Sequence, residues 1–286
     1  VQEAWSHVLV TACSVHQTEL LSQCPQCADP IHLTRRVLMH CDCGYDYRHA
    51  VSEPASAFST GLSAFLTNAA APSRQALPAP LNQLNFEPLL PDFLVTLAKA
   101  QGRMTDLLPR RYRFGASSSF EDCLAIVRHL EALLGDWPKR FDDTLENQLC
   151  KGEGVSLAGR IGTWYRTLFS TYSSASFDFV RDRFKAQVAE YFDGRLGVST
   201  RALMFGADNA DAMQWFSAAE AARLLGVAPD ILANLVITQK IEGEVHREGK
   251  SRFIAIHRST LDRIAAQRAA YLSTTEARQR LNVSKN

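Results

Sequence analysis

Apolar residues recur every three or four positions along most of this chain, and this spacing predicts a mainly α-helical protein. In residues 54–70, for example, Phe58, Leu62 and Phe65 fall on one helical face. Later segments with the same periodicity are residues 91–100, 118–134, 138–150, 156–172 and 176–192. A Pro- and Ala-rich stretch at 69–83 interrupts the pattern and predicts a linker. We therefore expect a helical bundle after a linker.

The sequence FSAAEAARLLGVAPDILANLV (216–236) has the pattern of a helix-turn-helix. Ser217 and Glu220 predict a capping box at the start of its first helix. Leu224 and Leu225 are expected to face a core. A glycine then predicts the turn, and a proline suits the first position of the second helix.

The residues after this pair predict a wing. EVHREGKSRFIAIHR (244–258) reads as two short strands joined around Gly249, and Ser259 is expected to cap a last helix that starts at Thr260. The terminal residues 272–286 repeat the pattern of a Ser followed by a Glu three positions on, and they stop within it. We expect this sequence to be cut inside a second such unit.

Four of the seven cysteines form two tight pairs, Cys24 with Cys27 and Cys41 with Cys43. This spacing favours a metal site in a reducing compartment over a disulfide framework. Two knuckles about a dozen residues apart can supply four thiolates in a tetrahedron, which zinc prefers. We predict a structural zinc ion in a small zinc-ribbon module. A closed shell of four sulfurs leaves no open position for a catalytic water.

Other interpretations of the cysteines and histidines stay open. The four cysteines can instead be free core residues, and His40 can replace Cys41 as a ligand. Cys13 and His16 form a further C-x2-H pair with no second pair before it. This pair is either an ordinary feature near a helix start or half of a second metal site whose partner cysteines precede the chain.

Composition sets the class of protein. The 286 residues, 46% hydrophobic and 21% charged, are enough for about two or three domains. The sequence has neither a long apolar run nor a secretory leader pattern, so we expect a cytoplasmic protein. A net charge of +1 creates no whole-molecule attraction to nucleic acid. Contact with nucleic acid must therefore come from local patches.

Three local basic patches are candidates for contact with nucleic acid or a partner: Arg247, Lys250 and Arg252; Arg110, Arg111 and Arg113; and Arg35 and Arg36. Each can equally be a solvent-facing or protein-docking feature. The candidate reading helix, residues 229–239, contains Asp230 near its start and has no arginine, which argues against direct reading of bases. Its apolar residues suit packing against a protein, and they are compatible with a homodimer.

No residue pattern points to catalysis. The chain has no phosphate-binding loop of the Gly-x4-Gly-Lys-Ser/Thr type. Residues 61–64 (GLSA) fall in a predicted helix, whereas a nucleophile elbow needs a strand-to-helix turn. Asp142 and Asp143 point to different sides of a predicted helix. We expect that the protein is not an enzyme.

The cysteine region resembles a known family. The run W...VTACSVHQTELLSQCPQC...HCDCGYDYR is similar to the zinc-finger core of the TniQ/TnsD family of transposon target-selection proteins, in these residues: Trp5, Cys13, His16, Cys24, Cys27, Cys41, Cys43 and Gly44. GDWPKRFDDTLENQL (135–149) and GRIGTWYRTLF (159–169) resemble the helical region of that family. The resemblance implies that an upstream C-x2-C completes the site of Cys13 and His16, and that a helix-turn-helix precedes it.

The resemblance also implies a function. Family members are adaptors that link a target-recognition element, either a DNA sequence or a CRISPR guide-RNA effector complex, to an AAA+ ATPase that recruits the transposase. Two alternatives remain: a zinc-containing helix-turn-helix transcription regulator, and a metal hydrolase, which needs an open metal position.

The expected fold class is mainly α with a small zinc-ribbon module and a winged helix-turn-helix unit. The expected domains are a zinc-finger module at 1–50, a helix and linker at 51–90, a helical bundle at 91–206, and the helix-turn-helix with wing and start of a second repeat at 207–286.

Overall fold

The structure is a computed structural model that describes residues 9–31, 37, 39–67, 77–79, 81–84, 89–98, 100, 120–152, 154–206, 213–249 and 251–269. Over these residues the chain is mainly helical with few strands, which confirms the prediction of a mainly α protein. It divides into two compact units: residues 1–144 with 164–181, and residues 145–163 with 182–286. Within the described ranges, none of the helices has both the length and the apolar character needed to cross a membrane.

The helices lie in this order: α1 (Ala57–Leu66), α2 (Leu90–Ala98), α3 (Phe120–Leu134), α4 (Lys139–Lys151), α5 (Leu157–Ile161), α6 (Trp164–Ser170), α7 (Asp178–Tyr191), α8 (Val198–Phe205), α9 (Ala218–Leu225), α10 (Pro229–Ile237) and α11 (Arg258–Ala269). The strands are β1 (Ala12–Cys13), β2 (Thr18–Glu19), β3 (Trp215–Ser217), β4 (Glu244–Glu248) and β5 (Ser251–His257). The domain boundaries drawn at residues 50, 90 and 206 stay predictions, because the two units are a coarser division.

Aromatic side chains fill the core of the first unit. Phe93 of α2 is fully buried, stacks on Phe177 with ring centroids 4.4 Å apart, and meets the Tyr172 ring edge-on at 5.3 Å. The hydroxyl of Tyr172 shares a buried hydrogen bond of 3.1 Å with the hydroxyl of Thr96, so the polar end of the ring is satisfied. Buried Arg181 donates to backbone carbonyls in the turn between α6 and α7, which holds that turn against the core.

Helix α1 supports the cysteine-bearing segment. Ser56 caps the helix, because its Oγ accepts from the Ser59 N–H at 3.1 Å, and its hydroxyl also donates to Glu131 at 2.9 Å. The Oγ of Ser63 accepts from the Ala12 N–H at 3.2 Å, which places β1 against α1. The hairpin of β1 and β2 is therefore attached to the helical core of the first unit.

The second unit contains a three-stranded antiparallel sheet in the order β3-β5-β4. The register places Phe216 opposite Ile256, and Arg247 opposite Arg252. Strands β4 and β5 form the predicted hairpin. Its turn includes Gly249 with φ of 58°, a left-handed conformation that glycine adopts without strain.

Helices α9 and α10 pack on this sheet and are joined by a turn at Gly226, whose φ is 62°. Their shared core consists of Phe216, Ala221, Ala222, Leu232, Val236, Ile254, Ile256 and Leu261. The predicted capping box is confirmed: the Glu220 N–H donates to Ser217 Oγ at 3.3 Å, and the Ser217 N–H donates to the Glu220 carboxylate at 3.0 Å. Helix α9 therefore begins where the sequence predicts.

Glu220 also forms an ion pair with Arg201 at 2.6 Å. Burial alone would raise the pKa of the Glu220 carboxyl. Hydrogen bonds from Ser217 and from the Arg201 guanidinium favour the charged form more strongly, so the pKa is lowered from its ordinary value.

A largely buried charge network connects three elements of the second unit. The Arg160 guanidinium of α5 lies 2.5 Å from the Asp193 carboxylate, donates to the Gly154 carbonyl at 2.9 Å and lies 5.1 Å from the Phe192 ring centroid. His246 of β4 approaches the same carboxylate at 3.1 Å. One carboxylate thus connects helix α5, the loop after α7 and the hairpin.

One helix prediction is wrong. Residues 156–172 form two helices, α5 and α6, and not one. Gly162 adopts φ of 77°, and its N–H bonds back to the Ala158 carbonyl at 3.0 Å, so α5 ends there.

Two predictions in the second unit are also wrong. Leu224 does not face a core: its exposed fraction is 61%, because α9 turns Ala221 and Ala222 inward. Ser259 does not cap the last helix, since α11 begins at Arg258 and the Ser259 N–H is bonded to His257 Nδ1 at 3.2 Å. The linker predicted at 69–83 and the repeat predicted at 272–286 lie mostly or wholly outside the described residues.

Gly194 provides a test of packing in the second unit. A Cβ at this position would lie 2.3 Å from the Val155 carbonyl oxygen and 2.6 Å from the Phe192 ring, whereas a Cβ at Gly197 would meet nothing within 4 Å. Gly194→Ala should therefore destabilise the unit by about 1–3 kcal/mol, and the matched control Gly197→Ala should not. Thermal melting followed by circular dichroism measures both, and equal melting temperatures would contradict this packing.

The lowered pKa of Glu220 predicts how the stability of the second unit changes with pH. A carboxyl with a lowered folded-state pKa contributes stability above its unfolded pKa of about 4.3 and loses it as the pH falls through the folded value. Glu220→Gln keeps an acceptor for the capping box but removes the charge, so the melting temperature should depend less on pH in this acid range. Glu242→Gln, which removes one charge of an exposed ion pair with Arg263, should show the same pH dependence of the melting temperature as the unchanged chain. Equal acid dependence of all three proteins would overturn the role given to Glu220.

Candidate metal centre and basic surfaces

The first cysteine pair lies on a tight backbone turn. The Ala28 N–H donates to the Cys24 carbonyl at 2.9 Å, and the Cys24 N–H donates to the Asp29 carbonyl at 2.8 Å. Ala28 adopts a left-handed φ of 62° to close this turn. The turn directs the sulfurs of Cys24 and Cys27 to one side.

The second pair lies on a similar turn that is one residue tighter. The Gly44 N–H donates to the Cys41 carbonyl at 2.9 Å, and the Cys41 N–H donates to the Tyr45 carbonyl at 2.8 Å. Gly44 has φ of 91°, which a residue with a Cβ rarely adopts. The glycine thus allows two cysteines separated by one residue to present both sulfurs from one knuckle.

The structure brings the four sulfurs together. The Sγ atoms of Cys24, Cys27, Cys41 and Cys43 all lie within 4.8 Å of one another. Cys24 Sγ is 3.7 Å from Cys43 Sγ, and Cys27 Sγ is 3.5 Å from Cys41 Sγ. These distances are too long for disulfide bonds of about 2.05 Å. They match the sulfur separation of about 3.8 Å that a tetrahedron with metal–sulfur bonds of about 2.3 Å requires. The four cysteines can therefore hold a metal ion.

The exposure of two of the four cysteines argues against the alternative of free core residues. Cys27 and Cys43 are exposed. Of the described residues from Ser14 to Ser56, Cys24 is the single buried one. A segment of this length without an apolar core needs another source of stability, and a bound metal ion supplies folding free energy directly.

Hydrogen bonds favour a thiolate at Cys41, whereas burial and contacts with the neighbouring sulfurs raise the pKa of the Cys27 and Cys43 thiols. The backbone N–H of Cys43 and the hydroxyl of Tyr47 stabilise the charged sulfur of Cys41 and lower the pKa of this thiol to about 6. Metals bind the thiolate form, so Cys41 is prepared to act as a ligand at neutral pH.

His40 is not part of the sulfur cluster. Its Nε2 lies 3.6 Å from the carboxylate of Asp46. The cluster contains Cys41 and not His40, so the predicted ligand is the one that lies with the other three sulfurs. The Arg48 guanidinium donates to the same carboxylate from Nε at 3.0 Å and from Nη2 at 2.6 Å, and it holds the pKa of Asp46 well below its usual range. This contact closes the chain around the second knuckle.

Cys13 is the last residue of β1 and His16 lies on the turn that leads to β2, so the pair is not at a helix start. Cys13 Sγ is 3.3 Å from His16 Nδ1, and the His16 N–H lies 3.5 Å from the same sulfur. The two side chains can therefore contribute two ligands to one metal ion. Within the described ranges, no further His, Cys, Asp or Glu completes a group of three around them.

The predicted basic contacts are only partly described. Arg247 and Arg252 are exposed and lie opposite each other on β4 and β5. The other predicted positions lie outside the described residues: Arg35, Arg36, Arg110, Arg111, Arg113 and Lys250.

Helix α10 presents a mixed outer surface. Leu232 and Val236 are buried in the core, while Ile231 is 55% exposed. Asn234 and Asp230 are also exposed. The helix therefore offers one amide that can read a base edge and one carboxylate that repels phosphate.

No family model matches the chain, and no curated protein matches its sequence. The function must therefore be argued from the residues and their geometry.

Sequence reasoning missed one feature of the second unit. Arg160 and Asp193 are 33 positions apart in the chain, and neither carries a motif, yet they form the buried charge network with His246. A single arginine in an otherwise apolar helix pattern is the one signal that could have pointed to it.

The metal centre can be tested with cobalt(II), whose bonds to thiolates give intense absorption bands. Cys27→Ser removes one of four ligands and should weaken cobalt binding by more than about a hundredfold, beyond the loss expected for an outer-shell partner. Cys150→Ser, at an exposed cysteine outside the cluster, is the matched control and should bind cobalt like the unchanged chain. Equal affinity of the two variants would show that the cluster is not the site.

Proposed function

We propose that this protein is a non-catalytic adaptor for target-site selection in DNA transposition. In this role it links a target-recognition element, either a DNA sequence or a CRISPR guide-RNA effector complex, to an AAA+ ATPase and its transposase. The observation that carries the proposal is the cluster of four sulfurs, because its four cysteines belong to the sequence pattern that resembles the TniQ/TnsD family.

We infer that the metal is zinc and that its role is structural. Four thiolates in a tetrahedron are a ligand set that zinc prefers, and they leave no position for water or substrate. A hydrolase would need such an open position. The metal therefore stabilises the cysteine-bearing segment, which then serves as a docking surface.

In the second unit we propose a winged helix-turn-helix. Helices α9 and α10 with the turn at Gly226 would form the helix pair, and the hairpin of β4 and β5 would form the wing. Arg247 and Arg252 lie on the two strands of that hairpin, where guanidinium groups can meet phosphates. The sequence-independent contact of a wing suits an adaptor on a nucleoprotein complex.

A zinc-containing transcription regulator is the second candidate, and the exposed amide of Asn234 on α10 favours it. The carboxylate of Asp230 on the same helix and the absence of arginine from α10 count against tight reading of a DNA sequence.

Purification of the tagged chain from cells that produce it naturally tests the adaptor proposal. We expect an AAA+ ATPase in the eluate. An RNA-bearing effector in the same eluate would indicate guided targeting, and DNA of one sequence without RNA would indicate direct reading. Recovery of the chain without an ATPase would contradict the adaptor role.

A gel-shift assay of the purified chain on random-sequence duplex DNA tests the wing. Binding should be weak and should fall with salt, and Arg247→Ala should reduce the slope of log affinity against log salt by about 1. Arg128→Ala, which removes an exposed arginine from the first unit, is the control and should leave the slope unchanged. Tight, salt-resistant binding to one duplex sequence would instead support the transcription regulator.

A further inference from the structure

One edge of strand β5 is only partly paired. The strand pairs with β4 over residues 251–255, but β3 pairs with residues 255–257 alone. On the edge that faces β3, residues 251–254 therefore have no strand partner within the described part of the chain. A strand edge with unpaired backbone groups is a template for one more strand.

The direction of the backbone groups follows from one hydrogen bond. The Arg258 N–H donates to the Gln214 carbonyl at 2.7 Å, directly beyond the last pair of β3 with β5. In an antiparallel sheet, successive residues of a strand direct their backbone groups alternately to its two neighbours. The register of β5 has no bulge, so its even-numbered residues face the β3 side. The N–H and carbonyl of Arg252 therefore point to the open edge, while those of Phe253 point to His246 on β4.

A cavity of about 530 Å³ lies along this open edge. Residues 252–255 of β5 line it, and so do residues 215–220, which form β3 and the first turn of α9. Arg252 and Phe253 have side chains on opposite faces of the sheet, yet both line the cavity, so the cavity follows the edge and not one face. Its volume is typical of a ligand site, and a strand beside residues 252–254 needs about 10 Å of length.

The wall on one face of the sheet is apolar and consists of small side chains. Ile254 packs in the core with Leu232 of α10, so α9 and α10 form the wall on this face. Ala218, Ala219 and Ala233 belong to the cavity lining. Such short side chains leave room for an apolar side chain of a ligand.

The wall on the other face carries a positive charge. Arg195 covers the Phe253 ring, 5.8 Å from its centroid, and forms no ion pair with a carboxylate of the described residues. Asp193 of the same loop is paired with Arg160. Asp230 also lines the cavity, but it is the second residue of α10 and belongs to the apolar wall. The wall at Arg195 therefore suits an acidic side chain.

We propose that this cavity binds an extended peptide segment of a partner protein, which adds to the open edge of β5 as a further strand. Its backbone pairs with Arg252, and its side chains point alternately to the two walls, an acidic one toward Arg195 and an apolar one toward Ala233. Main-chain hydrogen bonds supply the affinity of such strand addition, and alternate side chains supply its specificity. The site goes beyond the proposed wing contact and does not depend on the adaptor role.

Amide hydrogen exchange of the full chain, followed by NMR, tests whether the edge is open. After correction for intrinsic rates, the Arg252 N–H should exchange at least about tenfold faster than the Phe253 N–H, which is bonded within the sheet. Equal protection of these two amides would overturn the proposal.

A phage-displayed library of short random peptides supplies the probe. Selection on the full chain should enrich peptides with alternating acidic and apolar residues. A synthetic copy of the most enriched peptide should bind saturably in isothermal titration, and it should slow the exchange of the Arg252 N–H. Failure to enrich any peptide, or binding that leaves this exchange unchanged, would contradict strand addition.

Two alanine variants locate the peptide. Ala219→Trp fills the apolar wall and should weaken peptide binding at least about tenfold. Ala266→Trp makes the same change at an exposed alanine of α11 outside the cavity, and it should bind the peptide like the unchanged chain. Thermal melting checks that both variants are folded. Equal affinity of the two variants would place the peptide elsewhere and overturn the proposal.

Methylation of the peptide's backbone nitrogens, one at a time, distinguishes strand addition from binding by side chains alone. Only alternate N–H groups of an added strand face β5, so binding should weaken at least about fivefold at every second position. Equal losses at neighbouring positions would overturn the proposal. Replacing the acidic residue of the peptide by its amide should weaken binding to the unchanged chain about threefold, but not binding to Arg195→Gln. Equal weakening with both proteins would contradict the contact with Arg195.

The other proposals can fail independently of this one. Ala219→Trp leaves Arg247 and Arg252 in place, so the salt slope of its binding to DNA should equal that of the unchanged chain. A missing ATPase in the co-purification would leave peptide binding unchanged. A concentration-dependent dimer that Ala219→Trp abolishes would assign the edge to a second copy of this chain and would contradict binding of a partner protein.

Discussion

The convergence of four sulfurs on one point is the constraint on which the first part of this chain depends. From Ser14 to Ser56 the described residues bury almost nothing, and their regular structure is limited to strand β2 and a single 3-10 turn. Backbone turns alone do not offset the conformational entropy of ordering such a segment. The four sulfurs of Cys24, Cys27, Cys41 and Cys43 can hold a metal ion, and such an ion would close two loops at once and supply folding free energy.

The two units rely on different interactions for their stability. The first combines the sulfur cluster with an aromatic core around Phe93, and the hydrogen bond between Ala12 and Ser63 attaches its hairpin to α1. The second has a small apolar core and adds the buried pair of Arg160 and Asp193. Removing one partner of a buried pair costs about 3–5 kcal/mol, so loss of either Arg160 or Asp193 should loosen the loop after α7 from α5.

Local chemistry explains what the sequence predicts well. The cysteine spacing predicts the cluster because each knuckle is built from neighbouring residues. The capping box is predicted for the same reason, since both of its hydrogen bonds form between Ser217 and Glu220. Helical periodicity predicts helices but not where they break, so the end of α5 at Gly162 was missed. Ala221 and Ala222, and not Leu224, form the buried face of α9, which apolar periodicity alone does not indicate.

Packing between distant residues explains what the sequence does not predict. The fold of the second unit brings Arg195 next to Phe253 and Asp193 next to His246. In each pair the two residues are more than fifty positions apart in the chain. No spacing rule connects such residues.

X-ray absorption at the zinc edge tests the central claim most directly. We would record it on the purified chain carrying His16→Ala, so that the pair of Cys13 and His16 cannot contribute a histidine ligand. The account predicts bound zinc with a first shell of four sulfurs at about 2.3 Å. A shell that contains nitrogen or oxygen, or a chain without zinc, would contradict it.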